Sequence, residues 1–322
     1  MTTSTAPAAV ADGAPAAPRH AGAAPRRAGA RRWSALNTVV VLCALLGGGV
    51  LAYPGAATWF SDRAHRVEND LYLDAATGLD PAERDRILDA AHEYNDNLPL
   101  GPLRDPYVLN ASGEAVSLDE GRADYQRQLV LGDAAPMARL TVPAIGVDLP
   151  IYHGTDDATL ARGVGHLYGS ALPVGGTGTH AVLTAHSGFV QATLFDDLHR
   201  LDVGDHIVVT VLGEEVVYRV DQTLVTLPDE SEPLRQVPGH DYLTLITCTP
   251  TGVNTHRLLV RGERIDTRAS DAPDGQLLLA ATAGPGAPWW IALGLAPGLV
   301  TTLMLQPTNR GKRPRTRRAH RR

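Results

Sequence analysis

Two long uncharged apolar runs bracket a middle region in which short hydrophobic segments alternate with polar turns. The first, Leu36 to Tyr53, is eighteen residues without a charge, close to the roughly 20 that a bilayer-spanning helix needs. The second, Ala287 to Leu305, is nineteen uncharged residues opening with Trp289 and Trp290, side chains suited to a membrane interface. A kink is expected at Pro297-Gly298. Between the runs, Asp80-Pro81-Ala82-Glu83 supplies an N-cap, a proline at the first helical position and an early acid, and Ile87, Leu88, Ala91 and Tyr94 follow at helical spacing. This predicts a helix of about four turns, ending near Asn95-Asp96-Asn97. From Ala138 the texture changes to runs rich in Val, Ile, Leu and Tyr. Strands are expected at 138–142, 147–152, 181–185, 206–212, 215–221, 242–247 and 256–261, with Gly213 turning one hairpin. Short helical pieces are expected at 156–162 and 191–198. Seven or so strands with few helices predict a mainly β domain, closed or sandwiched.

Charge gives these elements an orientation. Five arginines (Arg19, Arg26, Arg27, Arg31 and Arg32) precede the first apolar run, and residues 310–322 hold seven arginines plus Lys312 with no acid. The rest of the chain carries 16 basic residues against 34 acidic ones. Cations directly outside both runs are the positive-inside signature, which predicts two spans with both termini cytoplasmic and an acidic middle outside the cell membrane. The competing reading of the first run is a cleaved secretory signal with Pro54-Gly55-Ala56-Ala57 as the cut site; a 35-residue arm and an apolar stretch longer than a signal core favour an uncleaved anchor. The cationic tail could also bind anionic lipid head groups within the same topology.

The expected organisation is a disordered cationic cytoplasmic arm at 1–35, a transmembrane helix at 36–53, an extracytoplasmic helical region at 54–137, a β domain at 138–268, an Ala/Gly/Pro-rich linker at 269–286, a second transmembrane helix at 287–305 and a cationic cytoplasmic tail at 306–322. Two cysteines cannot make a disulfide-dense scaffold, and no Cys-x-x-Cys pair is present for zinc or redox work. A formal charge of -6 argues against a nucleic-acid partner. No acidic cluster suggests calcium, so neither metal nor cofactor is expected.

Cys43 lies inside the first span, which leaves Cys248, at the end of the apolar segment Thr244-Leu245-Ile246-Thr247-Cys248, as a lone extracytoplasmic thiol. It is either a small buried hydrophobe or a nucleophile, and a nucleophile needs a base or cation to hold the thiolate. The chain turns through Thr249-Pro250-Thr251-Gly252-Val253-Asn254 and returns as His256-Arg257-Leu258. Antiparallel pairing around that loop would bring Arg257 level with Cys248; an arginine near a hairpin is equally a solvated strand residue. Ten histidines are candidate acids or bases: His65, His92, His153, His166, His180, His186, His199, His206, His240 and His256. His186, ending a strand before Ser187-Gly188, is one of several with a suitable setting.

The blocks LPIYHGT (149–155), GVGHLYGSALPVGG (163–176), THAVLTAHSG (179–188), LFDDLHRLDVGD (194–205) and TLITCTPTGVNTHRLLVRGERI (244–265) resemble, in order and spacing, those of a sortase barrel. The two-span topology and the upstream Asp105-Pro106-Tyr107 resemble class C, the pilin-polymerising group. The resemblance implies a closed sortase-type β-barrel preceded by a helical and lid region, and a cysteine transpeptidase with His186, Cys248 and Arg257 as its triad. It implies cleavage of LPxTG-like sorting signals between Thr and Gly and transfer of the acyl group to a lysine amine of a pilin. Its implied partners are LPxTG-bearing pilins or surface proteins and the bacterial membrane. A peptidoglycan cross-bridge amine is the alternative acceptor, and a non-catalytic sorting-signal receptor the alternative of another class. Asp105, Pro106 and Tyr107 are implied to form a lid, Asp105 pairing with Arg257 while Tyr107 covers the sulfur; many members carry Phe or Trp in place of that tyrosine. The histidine block departs from the T-G-H-R-G or S-G-H-R-G of many class C members, reading Thr184-Ala185-His186-Ser187-Gly188.

Overall fold

The computed structural model describes residues 33–98, 121–133, 135–266 and 286–306. Eight strands close into one barrel: β1 (Ala138–Val142), β2 (Val147–His153), β3 (Val164–His166), β4 (His180–Thr184), β5 (His206–Val211), β6 (Glu214–Thr226), β7 (Tyr242–Thr249) and β8 (His256–Arg264), in the order β1-β2-β3-β4-β7-β8-β6-β5. Closure removes unpaired edges, and alternate residues point inward. Leu140, Ile151, Val164, Leu183, Ile207, Leu245 and Val260 fill the interior without exposure to solvent.

Seven of the strands follow the expected runs. β3 was not anticipated, because three residues, Val164-Gly165-His166, are too few to show alternation. β6 is longer than expected: it continues past the shift in register between Val220 and Gln222 and pairs with β8 as far as Thr226 opposite Arg257. The helix expected at 191–198 is absent; its apolar residues are buried in turns, and the backbone donors of Ala192 and Phe195 go to Phe189 and His186 carbonyls (3.2 and 3.0 Å). A short α4 (Asp157–Leu160), capped by Asp156, stands where 156–162 was expected.

Before the barrel come α1 (Ala35–Thr77), α2 (Pro81–Asp96) and α3 (Arg122–Tyr125). α2 starts as anticipated, the Asp80 carboxylate accepting from the Ala82 amide at 2.9 Å. α1 differs from expectation in length. It passes through Pro54 and continues to Thr77, so Pro54-Gly55-Ala56-Ala57 is helical. Its C-terminal half docks on the barrel by a stripe of His65, Asn69, Tyr72 and Ala76. Asn69 donates to Asp148 (2.9 Å), and the buried Tyr72 hydroxyl donates to the Met137 carbonyl (3.1 Å) while accepting from the Leu212 amide (2.8 Å).

After the barrel, α5 (Trp290–Leu305) lies against α1. The approach requires glycine: a Cβ on Gly48 would stand 2.5 Å from the Gly294 carbonyl oxygen, the close backbone contact by which small residues bring apolar helices together. Trp59, Phe60 and Trp290 cluster where the two helices meet, with ring centroids 5.1 to 6.3 Å apart. Of the described helices, α1 alone is long and apolar enough to cross a bilayer; α5 is a 16-residue apolar helix, shorter than the span expected over 287–305.

Candidate active site

Side chains of β4, β7 and β8 that miss the interior converge on the outer face of the barrel. β7 and β8 are antiparallel, and Cys248 is directly opposite Arg257. Residues so paired share a face with Cβ atoms about 4.5–5.5 Å apart. On its other side β7 runs parallel to β4, with Thr184 level with Ile246. The Ala185 amide continues that ladder to the Ile246 carbonyl (3.2 Å), and the Ser187 hydroxyl donates to the carbonyl of Cys248 (2.7 Å). His186, between them, is carried to the level of Cys248 on the side away from Arg257. Thiol and guanidinium thus come from two paired strands, and the imidazole from the turn that follows the adjacent β4.

Each group is held. Cys248 and Arg257 are 9% and 8% exposed, so they meet the solvent boundary without being swept by water. Nη1 of Arg257 donates to the Asn254 and His256 carbonyls, both at 3.2 Å, which fixes the plane of the guanidinium. The His186 ring stacks on Phe189, centroids 5.5 Å apart. Burial lowers its pKa below the ordinary imidazole value, and the negative charge of Asp157 opposes that shift. The loop after His186 closes through the Gly188 amide onto Asp196 (2.6 Å). Gly188 has φ +74°, and a Cβ there would stand 2.5 Å from Cγ2 of Thr251 in the β7–β8 loop. Glycine is needed for both the turn and the contact.

Along the same outer face, Leu167, Val182, Leu234, Ile246 and Leu259 form a separate apolar cluster two residues from Cys248 and Arg257 along their strands. Leu234 comes from the β6–β7 connection. That connection is fastened by His180: Nδ1 donates to the Arg235 carbonyl (2.9 Å), and Nε2 accepts from the Thr244 hydroxyl (2.7 Å). Burial holds this imidazole down at about 4, keeping Nε2 available as an acceptor at neutral pH.

The other candidate histidines are engaged elsewhere. His166 is buried between the Ala171 carbonyl (2.8 Å) and the Tyr125 hydroxyl (2.9 Å). His153 donates to the Gln128 carbonyl, His240 pairs with Glu263, His199 donates to the Asp196 carbonyl and His256 meets Thr255. His65 lies in the α1 stripe, His92 is exposed on α2, and His206 is buried at the start of β5. Asp105, Pro106 and Tyr107, expected to form a lid, lie outside the described residues. Among the described residues no group of three or more His, Cys, Asp or Glu could hold a metal ion. Sequence reasoning missed Ser187 as a tie to Cys248, Asp157 as the charge facing His186, and the His180–Arg235 bond. Each depends on pairings distant in sequence that no local motif announces.

A family profile described as a sortase domain matches residues 140–265. The structure of sortase C-1 from Actinomyces oris is 46% identical with a TM-score of 0.54, covering 58% of this chain and 100% of that one. Sortase C1 of GBS Pilus Island 1 is 39% identical with a TM-score of 0.55, covering 63% of this chain and 92% of its own. Among curated proteins, sortase A of Bacillus anthracis is 29% identical over 133 residues, which are 41% of this chain; the chain spans 61% of that protein's length.

Proposed function

Because the chain belongs to the sortase family, with class C sortases among its structural neighbours, we propose that it is a membrane-anchored cysteine transpeptidase that joins sorted surface proteins, pilins in particular, through a thioester on Cys248. The observation that carries this reading is the pairing of Cys248 with Arg257 across β7 and β8, with His186 in the turn that follows the neighbouring β4.

In the proposed reaction the Cys248 thiolate attacks the Thr carbonyl of an LPxTG-like signal, and Arg257 donates to the oxyanion that forms. As the C–N bond breaks, His186 gives its proton to the departing Gly amine. The acyl group stays on sulfur as a thioester. A lysine ε-amine of the next subunit then attacks that carbonyl, the C–S bond breaks, His186 takes the amine proton, and an isopeptide bond results. The apolar cluster around Leu234 is suited to the hydrophobic part of the signal.

Anchoring is supported by the apolar half of α1, whose rise from Ala35 to Trp59 of about 36 Å exceeds the roughly 30 Å hydrocarbon core. The aromatic cluster at Trp59, Phe60 and Trp290 suits the outer interface. With α5 as a second span packed on α1, both arginine-rich ends face the cytoplasm and the barrel faces outward. Protease shaving of intact cells should remove the barrel and spare epitopes on both ends; a tail digested from outside would refute the orientation. Incubating the enzyme with a purified pilin tests the acceptor: a ladder of covalent polymers supports polymerisation, whereas transfer to peptidoglycan cross-bridge amines alone would assign wall anchoring instead.

A further inference from the structure

The 16 basic residues between the two apolar runs are all arginine, and Lys312, in the cationic tail, is the sole lysine of the sequence. Guanidinium geometry accounts for a few of them. Arg139 grips Asp148 by two bonds (2.7 and 2.9 Å) and Arg261 grips Asp221 likewise (3.1 and 2.6 Å), both partly buried, where a lysine could not replace the fork. Four other ion pairs are different in kind. Arg86–Glu83, Arg127–Asp124, Arg200–Asp197 and Arg235–Glu232 are one turn apart on the surface, with arginine side chains 72%, 70%, 59% and 59% exposed. Such pairs contribute little and lysine serves in them as well. Fork geometry therefore does not explain why lysine is missing from this side of the chain.

Reactivity does. A thioester is an acyl donor to any unprotonated amine. Lysine, with an ordinary pKa near 10.4, always has a small neutral fraction, whereas arginine stays charged and non-nucleophilic. A lysine on the barrel would face its own thioester at an effective concentration of about millimolar, set by the tether alone. We propose that the outer region is kept free of lysine so that the acyl-enzyme cannot modify itself and waits for the amine of a partner. The inference rests on the transpeptidase reading, and on the two-span topology that puts Lys312 across the membrane from Cys248.

The test places a lysine beside the thiol. Val190, in the loop after His186, and Val253, in the loop joining Cys248 to Arg257, are 56% and 63% exposed. Val190→Lys, Val253→Lys and the arginine counterparts Val190→Arg and Val253→Arg are prepared in the full chain and incubated with an LPxTG peptide. Hydroxylamine then strips thioesters and leaves isopeptides. In wild type and the arginine variants the adduct should be removed. In at least one lysine variant about tenfold more adduct should resist, mapping to the new lysine: its amine displaces the Cys248 sulfur, and the amine proton passes to His186. Added Nα-acetyl-lysine provides the control. If it discharges the wild-type thioester while no lysine variant acquires a resistant adduct, lysine exclusion is overturned and transpeptidation stands. If wild type forms no thioester, or no amine discharges it, the transpeptidase reading fails and the inference with it.

Discussion

Cys248 and Arg257 face each other as a directly opposed pair across β7 and β8, joined by a loop whose carbonyls at Asn254 and His256 hold the guanidinium. The hairpin register thus sets the cation's residue directly opposite the thiol's.

Replacing Arg257 separates charge from geometry. Arg257→Ala should lower kcat by about 100-fold or more, the cost of removing an oxyanion donor. Arg257→Lys should recover little, because a point charge cannot reproduce the planar guanidinium whose Nη1 the two carbonyls hold. Steady-state kinetics on a fluorogenic sorting peptide, with a melting curve for each variant, checks this; near-normal kcat in Arg257→Lys would remove the geometric role.

Ser187 ties the His186 loop to the Cys248 carbonyl at 2.7 Å. Ser187→Ala should cost about 1 kcal/mol, read as a fall of about fivefold in kcat/KM, and Ser187→Thr should restore most of it. Equal activity in all three proteins would show that the bond does not position His186.

The C-terminal half of α1 is held to the barrel by Tyr72, whose buried hydroxyl both donates and accepts a hydrogen bond. Tyr72→Phe leaves the Leu212 amide without that acceptor and should destabilise the protein by about 1–3 kcal/mol. For a folded region of this size the melting temperature should fall by about 2–4 °C per kcal/mol. An unchanged melting temperature would contradict the docking.

Burial holds the His166 imidazole down at about 4, against an ordinary value of 6.5. Below 6.5 the unfolded chain takes up a proton that the folded protein refuses until about pH 4. The contribution of His166 to stability is therefore intact above 6.5 and lost as pH falls through that window. The difference in melting temperature between wild type and His166→Gln should narrow from pH 7.5 to about pH 5. A difference constant with pH would show that His166 is not buried neutral.

Much of the barrel was legible because β-branched and aliphatic runs such as Ala138–Val142 and Tyr242–Thr249 alternate or run continuously between turns. The β7–β8 register was legible too, since a short loop between two such runs leaves few pairings. The C-terminal half of α1 was hidden: Pro54 and the charges after it look like an ending, and its docking stripe mixes His65, Asn69, Tyr72 and Ala76, which no hydrophobic period reveals. The parallel pairing of β4 with β7, which carries the residues after Thr184 toward the level of Cys248, joins strands 62 residues apart. No local pattern encodes it, and only the resemblance of the whole histidine block pointed there.

Intact mass spectrometry of the full-length protein mixed with an LPxTG peptide tests the central claim most directly. Wild type should gain the mass of the peptide's acyl part on Cys248, in a form that hydroxylamine removes, and Cys248→Ala should gain nothing and cleave nothing. An adduct on another residue, or continued cleavage by Cys248→Ala, would contradict the account.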